Sequence, residues 1–222
     1  MILKYAFLPV FLWVSCLANA QNNYFNKPDK NGQEKIFFGG LVLGMNAAQI
    51  DGDTYAGFHK PGINMGIAAY VKMNSKLVAS LELLYSQKGA RNVSVINTVN
   101  TGSTPIIYTA KLNYAEIPVM LNFAATDKIY IGGGASYSRL VSDKEFMDSY
   151  TSSAINSLQN TFRKQDLNYL VAVSYQLYEN IFARARYQYS MTSIRDAQKI
   201  PLEFGTARQF NNLFALQFML LF

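Results

Sequence analysis

The segment Asn212-Leu213-Phe214-Ala215-Leu216-Gln217-Phe218-Met219-Leu220-Leu221-Phe222 decides how the rest of the chain reads. Side chains of an extended strand alternate between two faces. Phe214, Leu216, Phe218, Leu220 and Phe222 therefore share one face, and Ala215, Gln217 and Met219 the other. With no helix partner in view, five large apolar side chains on one face are expected to meet lipid. The length suits a tilted membrane strand of about 9 to 11 residues.

Upstream stretches repeat the pattern. Residues 181–189 set Ile181, Ala183, Ala185, Tyr187 and Tyr189 against Phe182, Arg184, Arg186 and Gln188. Arginines facing lipid are costly, so the Arg184 and Arg186 face is expected to line a lumen. Residues 167–177 alternate in the same way, with Leu167, Tyr169, Val171, Val173, Tyr175 and Leu177 outward. Residues 77–87 send Leu77, Ala79, Leu81, Leu83 and Tyr85 outward and Ser80, Glu82 and Ser86 inward, and residues 63–73 send Ile63, Met65, Ile67, Ala69, Val71 and Met73 outward. Residues 36–49, 106–124 and 128–140 bring the count to eight.

The expected fold is all-β: a transmembrane antiparallel up-and-down barrel of eight strands. Ten is the alternative, because residues 89–108 and 141–166 are long enough to hide further strands. Short connections at 74–76, 125–127 and 178–180 alternate with long ones near 50–61, 89–105, 141–166 and 190–209. In single-chain bacterial barrels the short turns are periplasmic and the long loops extracellular, which places both termini in the periplasm. In residues 106–124, Leu112 and Tyr114 are in one phase and Ile117, Val119, Leu121 and Phe123 in the other, so a bulge is expected near Glu116-Ile117-Pro118. Phe146, Tyr150, Ala154, Leu158 and Phe162 recur every fourth residue, as a short amphipathic helix would require; a polar loop is the competing reading.

Composition agrees with this fold. The 222 residues are 50% hydrophobic and 14% aromatic but only 15% charged. The mean hydropathy of +0.03 is too polar for a bundle of membrane helices. No stretch after residue 20 is apolar enough to span as a helix. Residues 1–20 read as a signal peptide: Lys4, an apolar run, then Ala18-Asn19-Ala20 before Gln21. Residues 21–35 form a periplasmic N-terminal segment and residues 36–222 the barrel domain. A rival reading has cleavage before a lipidated Cys16, the one cysteine. If Cys16 leaves with the leader, no thiol remains for a disulfide or a metal. Loss of Lys4 takes the formal charge from +6 to +5, without a basic run of the kind that binds nucleic acid. Basic loops suit anionic lipopolysaccharide.

Gly44-Met45-Asn46, Gln49, Asp51-Gly52-Asp53, Gly57 and His59-Lys60-Pro61-Gly62 form one set of motifs. Glu82-Leu83-Leu84-Tyr85-Ser86-Gln87-Lys88-Gly89 and Tyr114-Ala115-Glu116-Ile117-Pro118-Val119 form another. With these motifs the chain resembles the PorT-like outer-membrane barrels common in Bacteroidetes, from about residue 36 to the end. The resemblance implies the barrel fold and a component of a secretion or envelope assembly. Phe222 at the end, with Phe218, resembles the C-terminal signal read by barrel-assembly machinery.

Glu82, Glu116, Arg184 and Arg186, with Lys72 and Lys88, are the lumen candidates. Carboxylates and guanidinium groups in an eight-stranded interior are expected to pair and fill it. His59, the one histidine, shows no local nucleophile signature. Asp51-Gly52-Asp53 lacks the further oxygen ligands of a calcium loop and reads as a turn. Gly132-Gly133-Gly134 precedes no helix and is no phosphate loop. No cofactor, metal or catalytic residue is expected. The leading reading is a non-enzymatic outer-membrane barrel presenting its loops to envelope partners, in contact with outer-membrane lipid, lipopolysaccharide and the assembly machinery. A narrow solute channel is second and a lipid-modifying enzyme third.

Overall fold

The structure is a computed structural model and describes residues 23–28, 32–52, 57–98, 102–149, 152–155, 162–196 and 208–222. The expected signal peptide, Cys16 and Asp53 lie outside these residues. A 3-10 turn, Tyr24–Asn26, precedes nine strands. These are β1 (Phe37–Asp51), β2 (Lys60–Lys72), β3 (Leu77–Thr98), β4 (Gly102–Ala124), β5 (Ile129–Ser149), β6 (Ser152–Ile155), β7 (Gln165–Tyr178), β8 (Ile181–Ser190) and β9 (Phe210–Leu221). All pairings are antiparallel, from β4 through β3, β2, β1, β9, β8 and β7 to β5, and β4 also pairs with β5. That last pairing closes an eight-strand barrel. β6 is a four-residue addition to β5, so the ten-strand alternative falls.

The outward phase is an apolar band. Leu43, Met65, Ile67, Leu83, Val119, Val171, Leu216 and Phe218 are all exposed on the barrel wall. A water-soluble surface rarely carries so continuous a patch; a lipid-facing barrel requires one. The strand phases assigned from Arg184, Arg186 and Glu82 hold, for all three are buried within the barrel.

Three expectations need correction. Residues 89–98, 102–105 and 141–149 are not loops: β3 and β4 pair from Leu77↔Phe123 up to Thr98↔Gly102, and β5 follows β4 to Ile106↔Ser149. Above the membrane the outward face of a strand no longer meets lipid, so the outward apolar alternation that marks a membrane strand fades. The amphipathic helix expected within 142–166 is also absent where it can be checked. Residues 142–149 and 152–155 are strand, while 150, 151 and 156–161 lie outside the described residues.

The bulge is not at Glu116-Ile117-Pro118. Register shifts between Asn113↔Ser142 and Tyr114↔Leu140, which leaves Val141 of β5 as the extra residue. β4 keeps one phase, with Leu112, Tyr114, Glu116 and Met120 all buried. Apolar residues can share the lumen phase because the upper lumen has its own apolar cluster, including Ile50, Tyr108, Leu112, Phe162 and Ile194. The Val141 bulge inverts the phase of upper β5, turning Glu145 inward and Lys144 outward.

Candidate functional site

Among the described residues three charged clusters and an aromatic stopper fill the barrel. At the end with the short turns, Asn23 caps the Tyr24–Asn26 turn by accepting from the Phe25 amide at 3.1 Å. It also bonds the Tyr130 hydroxyl. Asn26 Nδ2 donates to the Ser75 carbonyl at 3.2 Å, tying the segment to the β2–β3 turn. Phe25 is thereby driven into the mouth, 4.9 Å from the Phe38 ring, 5.5 Å from Tyr130 and 5.8 Å from Tyr70 by centroids. The edge-to-face pairs with Phe38 and Tyr130 each add about 0.5–1.5 kcal/mol beyond area burial. Lys72 pairs with the exposed Glu34 at this rim.

Above the stopper, Glu82 takes Arg184 on one oxygen and Arg186 Nη1 on the other, the latter at 3.1 Å. Arg184 Nε donates to Ser174 Oγ at 3.0 Å and Nη2 to the Tyr70 hydroxyl at 3.2 Å, and Tyr70 in turn donates to Met219 Sδ at 3.2 Å. Higher still, Lys88 Nζ lies 3.1 Å from Glu116 Oε2 and 3.8 Å from Asp166 Oδ2, and donates to Ser138 Oγ at 3.2 Å. Asn211 Nδ2 donates to Asp166 Oδ2 at 2.9 Å. Near the far mouth, Arg195 grips Glu145 at both oxygens, 2.6 and 3.1 Å, while the Tyr108 hydroxyl donates to Glu145 Oε1 at 2.5 Å. The Arg195 guanidinium sits 3.7 Å from the Phe162 ring centroid.

Glu82, Glu116, Asp166 and Glu145 balance Arg184, Arg186, Lys88 and Arg195. A charge buried without a partner costs several kcal/mol, so a neutral column is the arrangement a narrow interior can hold. Five of these residues, Glu82, Glu116, Arg184, Arg186 and Lys88, are among the expected lumen candidates. The structure divides them: Glu82 joins both arginines, and Glu116 pairs with Lys88. Asp166, Glu145 and Arg195 escaped the sequence reading. Asp166 lies one dyad before Asn168 and could have been found by extending that strand. Glu145 is hidden by the phase inversion at Val141, and Arg195 lies in a connection with no period.

Outside the lumen, His59 is exposed, with its ring against Gly57; a Cβ there would lie 2.3 Å from His59 Cε1. Asp51 accepts from Gln49 at 2.7 Å and Asn212 at 3.1 Å, and Gly52 turns the chain at φ +89°, next to the Arg208 carbonyl. Gly132 lies in β5, where a Cβ would come within 2.5 Å of Asn122 Oδ1. Among the described residues no group of three His, Cys, Asp or Glu is placed to hold a metal. Lys60 lies above the apolar band; burial first, then repulsion from Lys111 and Arg91, lowers its ammonium pKa.

The model of the outer membrane protein beta-barrel domain matches residues 19–196. The chain belongs to that family. A search of curated proteins finds no match. Among solved structures, this outer-membrane barrel domain is similar to the attachment invasion locus protein Ail of Yersinia pestis, at 13% identity over 85% of this chain and 100% of that one, TM-score 0.48. Neisserial surface protein A is similar at 15% identity over 83% and 96%, TM-score 0.40. The N-terminal barrel of Pseudomonas aeruginosa OprF is similar at 9% identity over 83% and 97%, TM-score 0.31. The outer-membrane barrel domain explains the apolar band as its lipid contact.

Proposed function

We propose that this outer-membrane barrel is a closed, non-enzymatic scaffold that holds an extracellular surface for a protein partner, in a secretion or envelope assembly of the PorT-like kind. The observation that carries this reading is the filled interior. Ion pairs at Glu82, Lys88 and Glu145 and the Phe25 stopper occupy the path that a solute channel would use. The exposed His59, held against Gly57, gives a lipid-modifying enzyme little support. The paired extension of β3 and β4 to Thr98↔Gly102 supplies a rigid platform for contact. Both termini lie on the periplasmic side in this reading, residues 1–20 leave as a signal peptide, and the outward rings of Phe218 and Phe222 serve recognition by the assembly machinery.

The test is purification of the native complex from outer membranes, with full-length protein and with a variant whose hairpin tip, residues 93–107, is replaced by a tight turn. The expected result is a barrel that still migrates as folded but no longer brings down its partners. Retention of the same partner set would refute the platform role.

A further inference from the structure

The barrel wall is electrically lopsided above the apolar band. Arg91 of β3, Lys111 of β4 and Lys144 of β5 are all exposed and share the outward phase. Lys111 is directly opposite Lys144 across the β4–β5 pair, and Gly89 is opposite Lys111 on its other side, which places Arg91 on the diagonal. Like charges directly opposite each other destabilise a sheet. Among the described residues none of the three has a carboxylate within ion-pair distance. Their charge reaches inward as well, where Arg91 and Lys111 oppose the Lys60 ammonium. Where β5 and β7 part above Arg139↔Gln165, Arg139 and Lys164 line a groove with Val141, Asp143 and Phe162. The far wall differs: Gln49, Asp51, Tyr189, Phe210 and Asn212 top β1, β8 and β9, with the carboxylate of Asp51 and, beside Gly52, the exposed Arg208.

Height identifies what these cations meet. A strand rising ~3.3 Å per residue at a tilt of ~40° puts Lys111 roughly 30 Å above Phe123, beyond an apolar band of about 25 Å. Arg139, opposite Ala115, comes lower, at about 20 Å, within snorkelling reach of the same level. The cations point sideways, in phase with Ile117, Val119, Leu121 and Phe123 below them. Headgroups of the outer leaflet occupy that position.

We infer that the outer face of β3–β5 binds the phosphate groups of an outer-leaflet glycolipid through Arg91, Lys111, Lys144 and Arg139. The anion relieves the Lys111–Lys144 repulsion, and the acyl chains lie against the apolar residues beneath. The Val141 bulge is what permits this, because unbroken alternation through Val141 would turn Lys144 to the lumen.

The test uses full-length folded protein in vesicles of phosphatidylethanolamine with either bisphosphorylated or dephosphorylated lipid A, and measures glycolipid retained per protein after mild detergent extraction. Wild type is expected to retain the phosphorylated form about tenfold better, and a variant with Arg91→Gln, Lys111→Gln and Lys144→Gln to lose that preference. Should the triple variant fail to fold, Lys111→Gln alone and a salt titration of wild type decide, since exposed charge contacts weaken as salt rises. Equal retention of the two lipids by wild type, or retention unmoved by charge removal and salt, would overturn the inference. Binding of a soluble sulfated polysaccharide with no lipid preference would do so too, reassigning the face to a surface ligand.

Discussion

Glu82→Ala removes the carboxylate shared by Arg184 and Arg186 and leaves two guanidinium groups facing each other inside the barrel. Side chains of all three are at most 1% exposed, so solvent cannot screen the result. Breaking a buried pair by deleting one partner costs about 3–5 kcal/mol. With each 1.36 kcal/mol worth a factor of ten, the unfolding constant should rise roughly a hundred- to several-thousand-fold. Glu34→Ala is the control: Glu34 also pairs with a cation, Lys72, but its side chain is 71% exposed, so about 0–1 kcal/mol is expected. Glu82→Gln keeps the shape and one acceptor oxygen but replaces the other oxygen with an NH2 donor facing a guanidinium, and should fall between the two. Guanidinium unfolding from phosphatidylcholine vesicles, followed by far-ultraviolet circular dichroism, measures all three. A Glu82→Ala loss no larger than that of Glu34→Ala would mean that the lumen is solvated, and would refute the packed column.

Phe25→Ala should cost about 3–5 kcal/mol by emptying the stopper at the turn end, read in the same unfolding assay. Deletion of Val141 should remove the bulge and leave β5 in unbroken alternation with Glu145 still inward and Lys144 still outward, because the residues above it already run in register with β4; the Glu145–Arg195 pair should persist and trypsin should spare the upper strands as in wild type, whereas new cleavage there would mean that Val141 is not the extra residue. Phe222→Ala should slow assembly in cells, seen as unfolded protein on unheated gels, while refolding of the purified chain in vesicles stays within about twofold. In a cycle of Glu145→Ala and Arg195→Ala the double variant should be more stable than additivity gives, by about 0.5–3 kcal/mol, because each single change strands the other charge.

Period-two alternation carried most of the fold. Arg184 and Arg186 separated by one residue told lumen from lipid, and Glu82 fell into the same phase four strands away around the barrel. The sequence was silent where that signal has no cause to exist. Upper β3 and β4 rise past the apolar band, where the outward face no longer meets lipid, so nothing selects an outward apolar stripe there. Phe25 stands with Tyr24 in an otherwise polar stretch and has no period at all. Val141 hid Glu145 because a single inserted residue exchanges the two faces of everything above it. Leu112 and Tyr114 gave the opposite error: apolar residues in the lumen phase imitated a slip that β4 does not contain.

Single-channel recording of the refolded protein in a planar bilayer tests the closed-barrel account most directly. Wild type should give no stable conducting level, and Phe25→Ala should give none either, because the Glu82 and Lys88 pairs still fill the path above it. Long-lived, ion-selective openings of the wild-type protein would contradict the account.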